Sequence, residues 1–314
     1  MPHNNVKKLL TILLALTAAP AFGGPAAFEA LRLAAPGAAS FTPAVPEPSR
    51  VEILSESAPA GVGARLFAAS GRFLGVPYVL GPLGEGQRGE FDRGPLASYT
   101  ALDCTTFVEE TMAFALGGDE ASSLDLLRRI RYRGGVISYE TRNHFTEADW
   151  LPNNIAAGFL RDITGEVAGA GVRAVRKTVS KRAWYQGKTE ADLKGFDYET
   201  PAQRAARLAR FRALGENMPD QDVTLSYVPL EDLAALLPRI PAGTVVSLVR
   251  EARDDKPTVV SHQFFIFDGP SGKIIRHASF GKAVLDVPAA DYVSRLAGSS
   301  WRVLGFNLAA VQGL

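Results

Sequence analysis

The chain has 314 residues, of which 46% are hydrophobic, so it is long enough to bury one large core or two smaller ones. Its 34 basic residues nearly balance its 33 acidic residues, which gives a formal net charge of +1. This balance argues against a nucleic-acid-binding protein, because a domain that binds nucleic acid is usually clearly basic.

The N-terminus has the layout of a secretory signal peptide. Lys7 and Lys8 form a short basic region, an apolar stretch runs from Leu9 to Ala18, and small residues follow up to Gly23. The apolar stretch is shorter than a membrane span. We therefore expect residues 1–23 to be removed and the mature chain to be periplasmic or secreted, without a stable membrane anchor.

Residues 24–50 are rich in alanine and proline, which is typical of a flexible linker. We expect a single domain from 51 to 314. Its first helix is predicted over Gly61 to Phe73. The glycine-punctuated stretch GVPYVLGPLGEG, from Gly75 to Gly86, then predicts a loop.

A helix is predicted from Cys104 to Leu116. Asp103 stands at the N-cap position, and two glycines follow Leu116 and end the helix. An apolar stripe is formed at helical spacing by Cys104, Val108, Met112 and Ala115. Cys104 is therefore expected at the buried N-terminal end of a helix that packs inward.

The middle of the chain, from about 134 to 226, carries mixed signals after a predicted helix over Ser122 to Arg131. We interpret it as an insertion or lid of mainly helices and loops. A helix beginning at Thr200 and Pro201 carries three arginines on roughly one face, Arg204, Arg207 and Arg210. A solvated surface explains these arginines better than an anion-binding surface does.

The C-terminal third reads as a short helix followed by strands rich in β-branched and aromatic residues. The helix is predicted over Pro229 to Leu237, and the strands over Thr244 to Arg250, Thr258 to Phe267, Lys273 to Ser279 and Ser300 to Leu308. Helices first and an antiparallel sheet afterwards predict an α+β fold.

Cys104 is the only cysteine, so it has no intramolecular disulfide partner. In an exported chain it is a buried inert thiol, an intermolecular link or a nucleophile. Nucleophilic chemistry needs a thiolate, which a helix N-terminus favours by lowering the thiol pKa, and an imidazole that carries the proton. Catalysis thus depends on whether a histidine reaches this helix.

Three of the four histidines lie beyond the signal peptide: His144, His262 and His277. If the hairpin around DGPSG pairs Phe267 with Gly272, His262 and His277 stand directly opposite each other, with Cβ atoms about 5 Å apart. A slip of one residue would place them on opposite faces.

We expect the sheet face that carries both histidines, together with Phe264 and Ile266, to pack against the Cys104 helix. His262 would then be the general base and acid, and His277 would orient it. The alternative is a zinc site made of Cys104 and the three histidines. Since no two of these residues have close ligand spacing on one element, we expect no metal or other cofactor.

The segments GVPYVLG and LDCTTFVE resemble the NlpC-type cell-wall cysteine hydrolases, which are papain-like. Three further segments, GPLGEG, the Cys-Thr-Thr form at Cys104, and RNHFTEADW from Arg142 to Trp150, resemble the N-acetylmuramoyl-L-alanine amidase-like branch. The likeness runs from about Gly75 to the C-terminus and is weak in the middle of the chain outside RNHF.

This resemblance implies a papain-like fold in which the domain from 51 to 314 is catalytic, with Cys104, His262 and His277 as its triad. It implies hydrolysis of an amide in peptidoglycan or muropeptides, most specifically the bond between N-acetylmuramic acid and L-alanine. In the wider family the bond is that between D-glutamate and diaminopimelate. A non-enzymatic wall-binding protein on the same fold is the third interpretation.

The resemblance also implies four substrate-binding residues. Tyr78 matches a tyrosine that lines the family's site near the nucleophile. Arg142, Asn143 and His144 match the branch motif, and we expect them to hold a substrate carboxylate or sugar, because a guanidinium suits a carboxylate. A structural turn is the alternative role for these three residues.

Overall fold

The computed structural model describes residues 61–313, so the predicted signal peptide and linker lie outside it. The helices are α1 (Val62–Gly71), α2 (Cys104–Leu116), α3 (Glu120–Arg131), α4 (Leu151–Ala156), α5 (Thr164–Ala168), α6 (Lys181–Gln186), α7 (Pro201–Ala213), α8 (Leu230–Leu236) and α9 (Ala289–Leu296). Within this range, no helix is both long and apolar enough to cross a membrane.

Eight strands form one antiparallel sheet. They are β1 (Leu160–Asp162), β2 (Arg173–Val179), β3 (Gln221–Pro229), β4 (Thr244–Arg250), β5 (Val260–Gly269), β6 (Gly272–Ala278), β7 (Val284–Pro288) and β8 (Val303–Val311). The order across the sheet is β2-β3-β8-β4-β5-β6-β7, and β1 pairs with β8 beside this path. The predicted α+β class is confirmed.

Each face of the sheet has its own hydrophobic core. On one face, α1, α2 and α3 cover the sheet, and Phe107 of α2 contacts Phe265 of β5 with ring centroids 5.8 Å apart. On the other face, α8 and α9 cover Phe264 and Ile266 of the same strand. The strand is buried on both sides, which explains why it is apolar at successive positions.

The sequence located α2 and β4 correctly. The bounds of α2 and β4 are those predicted, because an Asp cap and a run of β-branched residues mark them clearly. By contrast, β7 and α9 were not predicted. Both are short: β7 has five residues and pairs with the neighbouring β6, and α9 has eight, so neither is long enough to show a clear period in the sequence.

The segment from 134 to 226 is richer in sheet than predicted. It contains β1 and β2, which join the main sheet through β8 and β3 respectively. The helices α6 and α7 instead form a small separate core with Phe91, and the rings of Phe91 and Phe211 stack at 4.5 Å. Strands and helices of this segment are thus integrated with the rest of the domain.

The hairpin between β5 and β6 has a different register from the predicted one. Gly269 pairs with Gly272 around a two-residue turn, and Phe267 pairs with Ile274. The predicted pairing of Phe267 with Gly272 is therefore wrong by two residues. Because side chains alternate with a period of two, an even shift keeps His262 and His277 on the same face.

Candidate active site

The N-terminus of α2 is fixed by a reciprocal capping box. The Asp103 carboxylate accepts the backbone N–H of Thr106 at 2.8 Å, and the Thr106 hydroxyl accepts the backbone N–H of Asp103 at 2.8 Å. The second oxygen of Asp103 accepts the N–H of Gly81 at 3.0 Å. Asp103 is thus the predicted helix cap, and it also ties the loop after Tyr78 to the N-terminus of α2.

Buried polar contacts hold α2 against its neighbours. Glu109 accepts hydrogen bonds from Arg131 of α3 at 2.7 Å and from the Trp150 indole at 3.0 Å. Arg131 also donates to the carbonyl of Leu83 at 3.1 Å. Because these partners come from three different segments, they define the direction in which α2 points, and so the position of Cys104.

Cys104 is half-buried at the tip of α2, and its thiol is protonated at neutral pH. Burial and the nearby charge of Asp103 raise the thiol pKa to about 12, although the backbone N–H of Gln263 and the Thr105 hydroxyl act in the opposite direction. The expectation that the helix N-terminus leaves this thiol with a lowered pKa is therefore wrong. Desolvation outweighs the helix dipole here.

The two histidines form a direct hydrogen bond. Nε2 of His262 lies 2.8 Å from Nδ1 of His277, and the two rings meet edge to face. Burial lowers the pKa of His277 to about 4, and burial together with His277 and Arg250 holds the pKa of His262 well below its usual range. Both rings are neutral at neutral pH, so His262 is able to accept a proton.

The hydrogen bond also fixes which nitrogen of His262 is available. Since Nε2 is occupied by His277, Nδ1 is the ring nitrogen that has no hydrogen-bond partner among residues 61–313. When the bonding proton sits on Nε2 of His262, its Nδ1 carries a lone pair and is able to accept a proton.

The thiol contacts β5 where β5 and β6 separate. The pairing of these strands ends at Phe265 and Arg276, and Gln263 lies beyond it, with its N–H directed at the Cys104 sulfur. Gln263 directly follows His262, so the sulfur contacts the strand one residue from this histidine. In residues 61–313 the sulfur makes no hydrogen bond to either histidine ring.

The side of β5 that faces α2 is not the predicted one. Gln263, Phe265 and Phe267 face α2, whereas Phe264 and Ile266 face α8 and α9. His277 shares the latter face with Phe264, and both rings contact Tyr292 of α9. The histidine pair therefore lies on the face of the sheet opposite α2.

Tyr78 lies beside the thiol, as the motif implied. Burial and the nearby charges of Cys104 and Asp103 raise the pKa of its hydroxyl. Its ring packs against Phe280 at a centroid distance of 5.2 Å. The loop that carries Tyr78 thus lies close to the tip of α2.

Sequence reasoning missed three polar neighbours of the thiol. Thr105 and Gln263 contact each other and the sulfur, and Tyr292 lies near enough for a charge on Cys104 to raise the pKa of its hydroxyl. The signal for Gln263 was present, because a glutamine in an otherwise apolar central strand needs a buried polar partner. Nothing in the sequence pointed to Tyr292.

Arg142, Asn143 and His144 lie in a separate cluster. The Arg142 guanidinium binds the buried carboxylates of Glu85 and Asp92. Asn143 is buried and donates to the carbonyl of Ile130 at 3.0 Å. The His144 ring bonds the carbonyl of Tyr139 at 2.7 Å, and burial holds its pKa well below the usual range.

These three residues line a cavity of about 390 Å³ together with Trp184 and residues 217–221. The lining does not include Cys104, His262 or Tyr78. The hydrogen bonds of Arg142, Asn143 and His144 therefore match a structural turn more closely than a substrate-binding role.

The zinc interpretation does not match the placement of its four donors. His144 sits among Tyr139, Trp184 and Tyr185, away from the pair of His262 and His277. In the described range, no three His, Cys, Asp or Glu side chains are grouped so that they would hold a metal ion.

Comparison with known proteins supplies a family and a fold. The family model described as AmiA-like, N-acetylmuramoyl-L-alanine amidase-like, matches residues 68–299. Protein LPG0564 from Legionella pneumophila, which is assigned to DUF1460, is 27% identical, with a TM-score of 0.75 over 80% of this chain and 89% of that one.

An N-acetylmuramoyl-L-alanine amidase from Bacteroides uniformis is similar in structure. It is 23% identical, with a TM-score of 0.59, and the match covers 80% of this chain and 99% of that one. At this identity the likeness shows the fold alone. No curated protein matches the chain.

Proposed function

Because this chain belongs to the AmiA-like, N-acetylmuramoyl-L-alanine amidase-like family, we propose that it is a cysteine amidase acting on peptidoglycan or muropeptides. The bond cleaved is the amide between the lactyl group of N-acetylmuramic acid and L-alanine. Cys104 is the nucleophile, His262 the general base and acid, and His277 the residue that orients His262. The papain-like arrangement implied by the sequence motifs is part of this proposal.

The observation that carries the proposal is the neutral His262–His277 pair on a strand whose next residue, Gln263, contacts Cys104. The 2.8 Å bond leaves Nδ1 of His262 free, and Gln263 joins the same strand to the sulfur. A protonated thiol next to a neutral imidazole is a competent starting state, because one proton transfer produces the nucleophile and the acid together.

Acylation follows from this geometry. His262 Nδ1 takes the thiol proton, and the sulfur forms a bond to the amide carbonyl carbon. The backbone N–H of Cys104 and the Tyr78 hydroxyl donate to the resulting oxyanion. His262 then gives the proton to the nitrogen of L-alanine as the carbon–nitrogen bond breaks, which leaves a thioester on Cys104 and releases the peptide amine.

Deacylation repeats the steps with water. His262 removes a proton from the water, whose oxygen attacks the thioester carbon, and the proton returns to the departing sulfur. The products are the free lactyl carboxylate of the sugar and the regenerated thiol. We expect the distance between the sulfur and His262 to shorten when substrate binds, as catalytic hydrogen bonds often do.

Mass spectrometry of defined muropeptides after incubation with the protein tests this proposal. We expect a sugar fragment with a free lactyl carboxylate and a peptide that begins with L-alanine. Cys104→Ala and His262→Ala should each slow cleavage at least about 10³-fold. His277→Ala should retain partial activity, because His277 acts only through His262.

The circular dichroism spectrum of each variant serves as the control for folding. Cleavage by a folded Cys104→Ala protein would overturn the thiol mechanism. A product broken between D-glutamate and diaminopimelate would overturn the choice of bond. Binding without any cleavage would identify a wall-binding protein.

We also propose that residues 1–23 direct export to the periplasm or the medium. The basic, apolar and small-residue regions of this segment support the proposal. N-terminal sequencing of the protein produced in a bacterial host should show a mature chain that begins close to Gly24. Recovery of the uncleaved chain from the cytoplasm alone would contradict it.

A further inference from the structure

Thr105 stands between the nucleophile and a buried amide. Its hydroxyl oxygen lies 3.0 Å from Oε1 of Gln263 and 3.9 Å from the Cys104 sulfur. Gln263 is 1% exposed, and its Nε2 is directed at the Ser247 hydroxyl at 3.5 Å. The hydroxyl therefore has two neighbours that compete for it.

The Thr105 hydroxyl is able to donate to only one of these two neighbours at a time. The Thr105 hydroxyl has one hydrogen, and Oε1 of Gln263 is an acceptor only. While that hydrogen points at Gln263, the Thr105 oxygen has only lone pairs to offer the sulfur. It then accepts a hydrogen bond from a protonated thiol, and its lone pairs repel a thiolate.

Ionisation of the thiol reverses the preference. A hydrogen bond to a charged acceptor is roughly twice as strong as one between neutral groups. Rotation about the Cβ–Oγ1 bond suffices to redirect the hydrogen from Gln263 to the sulfur. The rotation breaks no covalent bond and needs no movement of the backbone.

We propose that the Thr105 hydroxyl is a two-position switch that donates to Gln263 while Cys104 is protonated and to the sulfur once the thiolate forms. Gln263 is the competing acceptor that holds the switch in its resting position. Thr105 and Gln263 are therefore positioning residues that act through Cys104.

The switch accounts for a nucleophile that is unreactive at rest and stabilised during turnover. A thiolate is the form that oxidants attack, so a resting thiol is protected in an exported protein. When His262 removes the proton, the Thr105 hydroxyl compensates part of the cost of the buried negative charge. This catalytic benefit rests on the proposed function of Cys104, whereas the switch itself does not.

Alkylation of the full chain by iodoacetamide tests the switch. Cys104 is the only cysteine, so every added group seen by mass spectrometry reports on this thiol. Below its pKa, the alkylation rate follows the fraction of thiolate, reduced by the loss of nucleophilicity that accompanies a lower pKa.

The two partners of the switch should give shifts of opposite sign. Thr105→Val removes the donor, so we expect the measured thiol pKa to rise by about one unit and alkylation at fixed pH to slow about threefold. Gln263→Met frees the hydroxyl for the sulfur. We expect a fall of about half a unit and alkylation about twofold faster.

Matched variants control for packing. Thr105→Ser keeps the hydroxyl and should behave as the wild type. Thr111→Val makes the same substitution on the same helix at a buried hydroxyl that has no hydrogen-bond partner within residues 61–313, so the rate should not change. If Gln263→Met does not fold, Gln263→Asn withdraws the amide from Thr105 and should likewise accelerate alkylation.

Slower alkylation of both the Thr105→Val and the Gln263→Met proteins would overturn the switch. It would indicate that the amide nitrogen faces Thr105, or that the two side chains act only by packing. An unchanged rate in Thr105→Val would overturn it as well. Neither outcome depends on muropeptide cleavage, so failure of the switch and failure of the proposed function are separable.

Discussion

Glu110 is a carboxylic acid in the interior of α2, one residue after the glutamate that binds Arg131. Its carboxyl group accepts the backbone N–H of Ser98 at 3.0 Å, and burial raises its pKa to about 8. It is therefore protonated in the folded protein at neutral pH. Unlike Glu109, it forms no direct ion pair within residues 61–313, and the nearby charge of Arg131 offsets only part of the loss of hydration.

This burial makes stability depend on pH. The folded-state pKa of Glu110 is raised, so its favourable contribution is complete below the unfolded pKa of about 4.3 and is lost as the pH rises through about 8. Glu110→Gln keeps an acceptor for Ser98 but does not ionise. We expect the melting temperature of this variant to exceed that of the wild type at pH 9 by several degrees, and by less at pH 5.

Thermal unfolding of both proteins between pH 5 and pH 9 measures this difference. Glu216→Gln, at an exposed position, controls for the loss of a carboxylate. A constant difference across the pH range would show that Glu110 is ionised in the folded protein at neutral pH.

Among the elements, the loop from 81 to 94 depends on the segment that follows α3. Arg142 bridges Glu85 and Asp92 of this loop, and the Lys194 ammonium donates to the carbonyl of Gly81 at 2.6 Å. Gly81 also donates to Asp103. The loop thus connects the middle segment to the cap of the nucleophile helix.

Arg142→Ala should therefore lower the free energy of unfolding by more than it weakens the free energy of substrate binding. Glu85 and Asp92 are 2% and 3% exposed at the side chain and would be left without their main cation, which costs about 3–5 kcal/mol for a buried pair. Chemical denaturation measures this loss, and KM for a muropeptide measures binding.

Arg210→Ala provides the control. Arg210 pairs with Glu90 at the surface, where both side chains are more than half exposed, so its removal should cost less than about 1 kcal/mol. A stable Arg142→Ala protein with a greatly raised KM would restore the substrate-binding role of this residue.

Across the whole molecule, elements marked by local sequence signals were predicted correctly, whereas strands that depend on partners far along the chain were not. Asp103 and the apolar stripe of α2 act within one helix, so the sequence alone specified its bounds. The strands β1 and β2 were missed because they are stabilised by β8 and β3, far along the chain. Their own residues, such as Arg173 and Lys177, carry little strand signal.

The candidate site shows the same division. Cys104, His262 and His277 were identified from motifs, and the structure brings the two histidines into contact. The face of β5 that carries His262 was predicted to pack against α2, which is wrong. Both faces of β5 are apolar, so the sequence alone does not distinguish them. Gln263 and Thr105 were missed because their contact joins residues 158 positions apart.

The hairpin between His262 and His277 constrains how related chains diverge in length. Residues added within the turn leave the pairing of β5 with β6 unchanged, whereas a slip of one residue between the two strands would move the imidazoles to opposite faces unless a bulge compensates. The turn is thus free to vary in length, while the pairing of the strands is not. Over evolutionary time the spacing between the two histidines should change by insertions and deletions at the turn, and not within the strands.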